Sequence, residues 1–178
     1  KQKYKNIYNY DLNKWNIKHI SILDNKKIKK LGQFDVVYSW GVLHHTGDMW
    51  TAIDNACKLC KNGGIFLVSL YSVYWRYFKT LLYKMKFNES NKFQKIKMIS
   101  DRVMLTKHRN KKSDNWNILT SRGMNIFNDI VDWLGGYPYE VATTEIITKF
   151  MDERGFKGIK KQDLKHRAGH EWMCLKKK

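Results

Sequence analysis

The chain has one proline (Pro138), three cysteines, no apolar run longer than residues 65–71, and 16 acidic residues against 34 Lys and Arg. Each shortage excludes something. Three cysteines cannot build the disulfide framework of a small secreted domain. An apolar run that short cannot cross a bilayer, which needs ~20 residues. The opening KQKYKNIYNYDLNKW has neither the apolar core nor the small-residue cleavage site of a signal peptide. The expectation is a soluble, cytoplasmic protein with no membrane partner; its oligomeric state is not legible. The 178 residues, 43% of them hydrophobic, suffice for one core.

The formal charge of +18 is what a nucleic-acid binder would show, because clustered bases release counterions from phosphates. Here the lysines are scattered through every segment among Asn and Ile, as a composition bias alone would leave them. Only residues 107–112 (KHRNKK) are dense enough to form a patch. A nucleic-acid partner stays possible and is not favoured.

What is present is organised around residues 34–71, FDVVYSWGVLHHTGDMWTAIDNACKLCKNGGIFLVSLY. The order is strand, polar loop with two histidines, amphipathic helix, Gly-Gly stop and second strand. That is one crossover unit of an open parallel sheet, whose ligands bind at the carboxyl ends of the strands. Residues 39–46 would line that crevice. The run Val36-Val37-Tyr38 is continuous, so this strand reads as buried on both faces. Thr46 or Asp48 can cap the helix, and Gly63-Gly64 can end it. Cys57 and Cys60 form a C-x-x-C but share the helix's inner face with Met49, Ile53 and Ala56, near its C-terminal end. They read as core, not as a reactive pair.

Around this unit, residues 1–14 read as the end of a helix, 16–23 (NIKHISIL) as a strand and 26–32 as a short helical linker. Residues 72–86 place Tyr74, Trp75, Phe78, Leu81, Leu82 and Met85 at helical spacing. Residues 88–115 are polar, a loop or a helix; 124–134 are helical; 135–138 are a turn. A helix over 143–154 is stopped by Gly155, and 156–164 with 172–176 read as an antiparallel strand pair. The histidines outside the central loop are scattered, and no metal site is expected.

The chain resembles the class I S-adenosylmethionine-dependent methyltransferases of the small-molecule type. The residues that carry the likeness are Ser21-Ile22-Leu23-Asp24, Phe34-Asp35-Val36-Val37-Tyr38-Ser39, Leu43-His44-His45-Thr46 and Gly63-Gly64. Arg122-Gly123-Met124 and Asp132-Trp133-Leu134-Gly135-Gly136-Tyr137-Pro138-Tyr139-Glu140-Val141 strengthen it. The resemblance implies an α/β, Rossmann-like sheet, mostly parallel with a C-terminal antiparallel hairpin. Its first strands would be missing, because no glycine-rich loop or ribose-binding acid precedes residue 21. The expectation is an N-terminally truncated fragment: one partial methyltransferase domain over 1–178, with residues 72–140 as a helical lid inserted in it.

The same likeness implies S-adenosyl-L-methionine as cofactor. It assigns Ser21, Ile22 and Asp24 to the adenine, with Asp24 equally well a helix cap, and Ser39, Trp40 and Gly41 to the methionine end. Tyr71, Trp75, Arg122, Trp133 and Tyr137 would face the substrate. A hydroxyl or amine acceptor must shed a proton, and an imidazole suits that task, so His44 or His45 is the candidate base. The implied reaction is methyl transfer to O or N of a small metabolite or a glycan or lipid precursor. An RNA methyltransferase, or a basic binding module that kept the fold without catalysis, are the alternatives. Residues 165–171 (KHRAGHE) depart from the glycine-rich turn expected there, which leaves substrate contacts at that place open.

Overall fold

The computed structural model describes residues 16–73, 77–110, 125–163 and 170–176. A short helix α1 (Asn25–Lys29) leads into strand β1 (Phe34–Trp40), a 3-10 turn (Leu43–His45), helix α2 (Met49–Leu59) and strand β2 (Cys60–Leu70). Helices α3 (Tyr77–Glu89), α4 (Lys92–Asn110) and α5 (Ile126–Gly135) follow, then α6 (Thr144–Asp152), β3 (Phe156–Asp163) and β4 (His170–Lys176). The sheet order is β1-β2-β4-β3. β1 and β2 are parallel, as their helical crossover requires, and β4 runs antiparallel to both β2 and β3. The crossover unit and the C-terminal hairpin stand where the sequence places them.

α2 forms because Asp48 caps it, accepting from the Thr51 N–H at 3.2 Å, and because Met49, Ala52, Ile53 and Ala56 recur on one face. That face lies on Phe66, Val68 and Leu70 of β2. α6, capped by Thr143, closes the same side with Ile147 and Met151. Trp50 packs on Phe150 at 4.8 Å between ring centroids, and Asp54 takes Arg154 Nε at 2.6 Å and Lys58 Nζ at 2.5 Å. Each fully buried large side chain here stabilises the fold by about 1.5–3 kcal/mol. Cys57 and Cys60 are both buried inside this core, and burial pushes the Cys60 thiol up, the opposite of a reactive pair.

Three expectations are corrected. Residues 16–23 make no strand: among the described residues β1 is the edge of the sheet and pairs only with β2, so the alternating segment joins no ladder, and Ile17 is exposed. β1 is not buried on both faces. Val37 packs on the core, while Val36, Tyr38 and Trp40 on the other face are 56%, 64% and 41% exposed, because the described helices that pack on the core cover only one side. Gly63-Gly64 does not end α2, which stops at Leu59. The glycines form a bulge in β2, which advances from Cys60 to Ile65 while β1 advances from Phe34 to Val36. Gly63 has φ 72°, and a Cβ on Gly64 would stand 2.9 Å from the Asp35 carbonyl oxygen.

Helix α3 divides the helically spaced residues between a half-buried side with Leu81 and Met85 and an exposed one. Phe78 and Leu82 are exposed, and the buried face carries Lys84 and Phe87. α3, α4 and α5 make a second core from Phe87, Met98, Val103, Ile130 and Leu134. α4 forms in the polar stretch because Asn91 and Gln94 cap it reciprocally, each backbone N–H donating to the other's side-chain oxygen at 3.1 and 3.0 Å. Asn125 caps α5 through its side-chain oxygen, which accepts from the Phe127 N–H at 2.9 Å. Among the described residues no helix is long and apolar enough to cross a membrane.

Candidate functional site

The site lies at the carboxyl ends of β1 and β2. Gly41, at φ 68°, turns the chain out of β1 while its N–H donates to the Ser69 carbonyl at 3.1 Å. The 3-10 turn follows, closed by the His45 N–H on the Val42 carbonyl (2.9 Å) and the Thr46 hydroxyl on the Leu43 carbonyl (2.8 Å). This drives Leu43 and His44 inward and leaves His45 half-buried at the rim.

The two imidazoles are not equivalent. His44 is 1% exposed, and neither ring nitrogen has a hydrogen-bond partner among the described residues. Burial, helped by the charge of His45 and Lys84, pushes it down to about 3, so the ring is neutral in use. Its ring centroid lies 4.3 Å from those of both His45 and Tyr71, and it behaves as an aromatic filler. His45 Nδ1 stands 2.7 Å from the Pro138 carbonyl oxygen, an acceptor only, so the proton is on Nδ1 and the lone pair on Nε2. Burial lowers the His45 pKa and Lys84 lowers it further, while the Pro138 bond and Asp132 oppose them.

The stretch 132–141 holds this loop. The Glu140 N–H donates to the His44 carbonyl at 3.0 Å, and the Glu140 carboxylate takes the Met49 N–H at 3.1 Å at the start of α2. Ala142 bridges to Ser72 beside the end of β2, which brings Tyr139 to 5.3 Å from Tyr71 and 6.1 Å from His45. Gly136 closes over the imidazole: a Cβ there would lie 3.1 Å from His45 Nε2 and 3.2 Å from Lys84 Nζ. Lys84 is fully buried. Its ammonium donates to the Trp133 carbonyl in the last turn of α5 and lies 4.6 Å from the Trp133 ring and 5.2 Å from the Tyr139 ring. Burial brings it down to about 8, against the pull of Asp132 and with the push of Arg102.

Of the residues expected at the site, His44, His45 and Tyr71 are brought together. Tyr137 is exposed just beyond Gly136, near the same rim. Trp133 is turned into the helical cluster, with Lys84 and Arg102 over its ring, the latter at 4.4 Å. Ser39, Trp40 and Gly41 end β1, where Trp40 is 41% exposed and nothing lies within 4 Å of a Cβ on Gly41. Ser21 accepts from the Leu23 N–H, and the Ile22 carbonyl takes Asn55 Nδ2 at 2.8 Å, which fastens this segment to α2. Asp24 caps α1 through the Lys27 N–H at 3.1 Å and pairs with Lys27 Nζ at 3.0 Å. Trp75, Arg122 and residues 164–169 lie outside the described residues, as do residues 111 and 112 of the basic run.

Sequence reading missed Lys84, and it assigned Tyr139 and Glu140 to a motif without a role. The available signal for Lys84 was its place on one helical face with Tyr77 and Phe87, at spacings of seven and three. Among the described residues no group of three or more His, Cys, Asp or Glu could hold a metal ion.

The methyltransferase-domain family matches this chain over residues 1–159. No curated protein sequence matches it. Among solved structures, PKMT2 from Rickettsia typhi in complex with AdoHcy superposes with a TM-score of 0.58 at 13% identity, covering 97% of this chain and 41% of that one. An O-methyltransferase family protein from Burkholderia thailandensis superposes with a TM-score of 0.55 at 12% identity, covering 99% and 40%. A third, the CurJ carbon methyltransferase, gives 0.53 at 11% identity, covering 99% and 38%. The chain therefore spans about two-fifths of the solved proteins it superposes on, and it shares their Rossmann-like α/β fold. It belongs to the methyltransferase-domain family.

Proposed function

We propose that this chain carries the acceptor side of an S-adenosylmethionine-dependent methyltransferase that methylates oxygen or nitrogen of a small metabolite or of a glycan or lipid precursor. The observation that carries this reading is the His45 imidazole, fixed by the Pro138 carbonyl with its Nε2 lone pair available as a base. When bound, S-adenosylmethionine supplies the methyl group from its sulfonium. The chain's own work is to align the acceptor and take its proton. His45 Nε2 receives that proton, and the Nδ1–H bond to Pro138 holds the ring throughout. His44, Tyr71 and Tyr139 wall the base with rings and limit water beside it.

The end of β1 fits the cofactor: Trp40 offers an exposed ring that can attract a sulfonium, and Gly41 leaves room for close backbone approach. Ser21 and Ile22 stand as the adenine side. Asp24, already engaged as a cap, has less carboxylate left for it. Tyr71 and Tyr137 face the acceptor, and α3, α4 and α5 serve as its cover within a single partial domain. Both the Rickettsia and the Burkholderia proteins are named as methyltransferases or by a bound AdoHcy, which supports the class of reaction and not the acceptor.

Calorimetric titration of S-adenosylmethionine into the complete gene product tests the reading. Saturable binding that weakens on Gly41→Val is expected; absence of binding would move the chain to a non-catalytic module with the same fold.

A further inference from the structure

We infer that Lys84 acts on the reaction through His45: an ammonium sealed beside the imidazole and tied to the end of α5, which keeps a second proton off the ring that Pro138 orients. The inference rests on the reading of His45 as the base. Its geometry begins at Gly136. The place a Cβ would take there is 3.1 Å from His45 Nε2 and 3.2 Å from Lys84 Nζ, so both nitrogens border one small space from opposite elements. They stand no farther apart than those two distances combined, a range over which like charges disfavour each other's charged forms.

A lysine is a costly choice for so buried a position, and three features hold its charge there. The Trp133 carbonyl is at the negative end of α5, the rings of Trp133 and Tyr139 present their faces to the cation, and Asp132 lies close enough to favour it. Its effect on the imidazole is directional. While Lys84 is charged it repels a proton from His45 Nε2, so the base stays unprotonated to lower pH than it otherwise would. The other groups around His45 are His44 on the same turn, Asp132 on α5, Tyr71 after β2, and Tyr139 and Glu140 on the segment that covers the loop; Arg102 on α4 acts on Lys84. Of the cations among the described residues, Lys84 is the one that lies against the imidazole.

The test is a pH titration of the His45 ring carbon by NMR in the complete gene product, beside a pH profile of kcat/KM. In Lys84→Met the His45 midpoint should move to higher pH, and the acid limb of the profile should move with it. The high-pH plateau should stay within a few-fold of the parent, and Lys84→Arg should return the midpoint toward its original position. An unmoved midpoint, or activity lost evenly at every pH, would make Lys84 a structural fastener only and overturn the proposal. Should Lys84→Met not fold, the unmodified protein still decides: the His45 signal must carry a second inflection where the Lys84 side-chain carbon titrates, and a single inflection refutes the coupling. If His45→Gln leaves methyl transfer intact while these midpoints move as stated, the base assignment has failed and the coupling has not.

Discussion

Two adjacent glycines should respond to the same substitution with opposite sign. Gly136→Ala places a Cβ 3.0 Å from His45 Cε1, 3.1 Å from its Nε2 and 3.2 Å from Lys84 Nζ. Ordinary contacts stand at about 3.5–4.0 Å, so these neighbours must retreat by several tenths of an ångström. His45 is pinned at Nδ1 by Pro138, and Lys84 by the Trp133 carbonyl, so neither gives freely. Overpacking of this kind costs about 1–3 kcal/mol. Gly135→Ala meets nothing within 4 Å and ends a helix, where removing glycine's freedom in the unfolded chain gains about 0.4–1 kcal/mol. Urea unfolding reads both, as midpoints moving to either side of the parent at unchanged slope. Gly136→Ala should also slow methyl transfer by up to ~100-fold, since the base is displaced. Equal midpoints for the two variants would refute the close packing of Gly136 on His45.

Gly64→Ala should destabilise by about 1–3 kcal/mol in the same assay, because its Cβ would meet the Asp35 backbone oxygen at 2.9 Å and backbone cannot step aside. Phe156→Ala, at a fully buried ring packed 6.0 Å from Phe66, should cost about 3–5 kcal/mol. His44 should make the fold acid-sensitive. Its pKa is 6.5 when free and about 3 when folded, so the unfolded chain binds the extra proton. The contribution is whole above 6.5 and is lost as pH falls toward 3, at up to about 1.4 kcal/mol per pH unit. Stability against pH for His44→Phe should be flatter by that slope over the same window, and a parallel curve would contradict the burial of a neutral ring.

The crossover unit was legible in the sequence because its signals are local: Asp48 caps α2, the apolar positions recur every three or four residues, and β-branched runs flank them. What failed depended on partners far along the chain. Residues 16–23 alternate like a strand, but pairing is decided by a neighbouring ladder. Val36 and Tyr38 look like core, but burial is a property of what lies over the sheet. Gly63 takes a positive φ whether it ends a helix or bends a strand, and only the contact of Gly64 with Asp35 separates the two. At the site, the histidine pair and Tyr71 were legible as chemistry. Which histidine holds an oriented lone pair was not, because Pro138 lies 93 residues away from His45. Lys84 stayed hidden because local polarity argues for an outward lysine, and the carbonyl that keeps it inside belongs to α5.

The most direct test of the account compares methyl transfer by His44→Phe and His45→Gln in the complete gene product. His44 offers only a ring, so His44→Phe should keep activity within a few-fold of the parent. His45 holds the base, so His45→Gln should lose about 10²–10⁴-fold in kcat while still binding S-adenosylmethionine. The reverse order, or full activity in His45→Gln, would contradict His45 as the base.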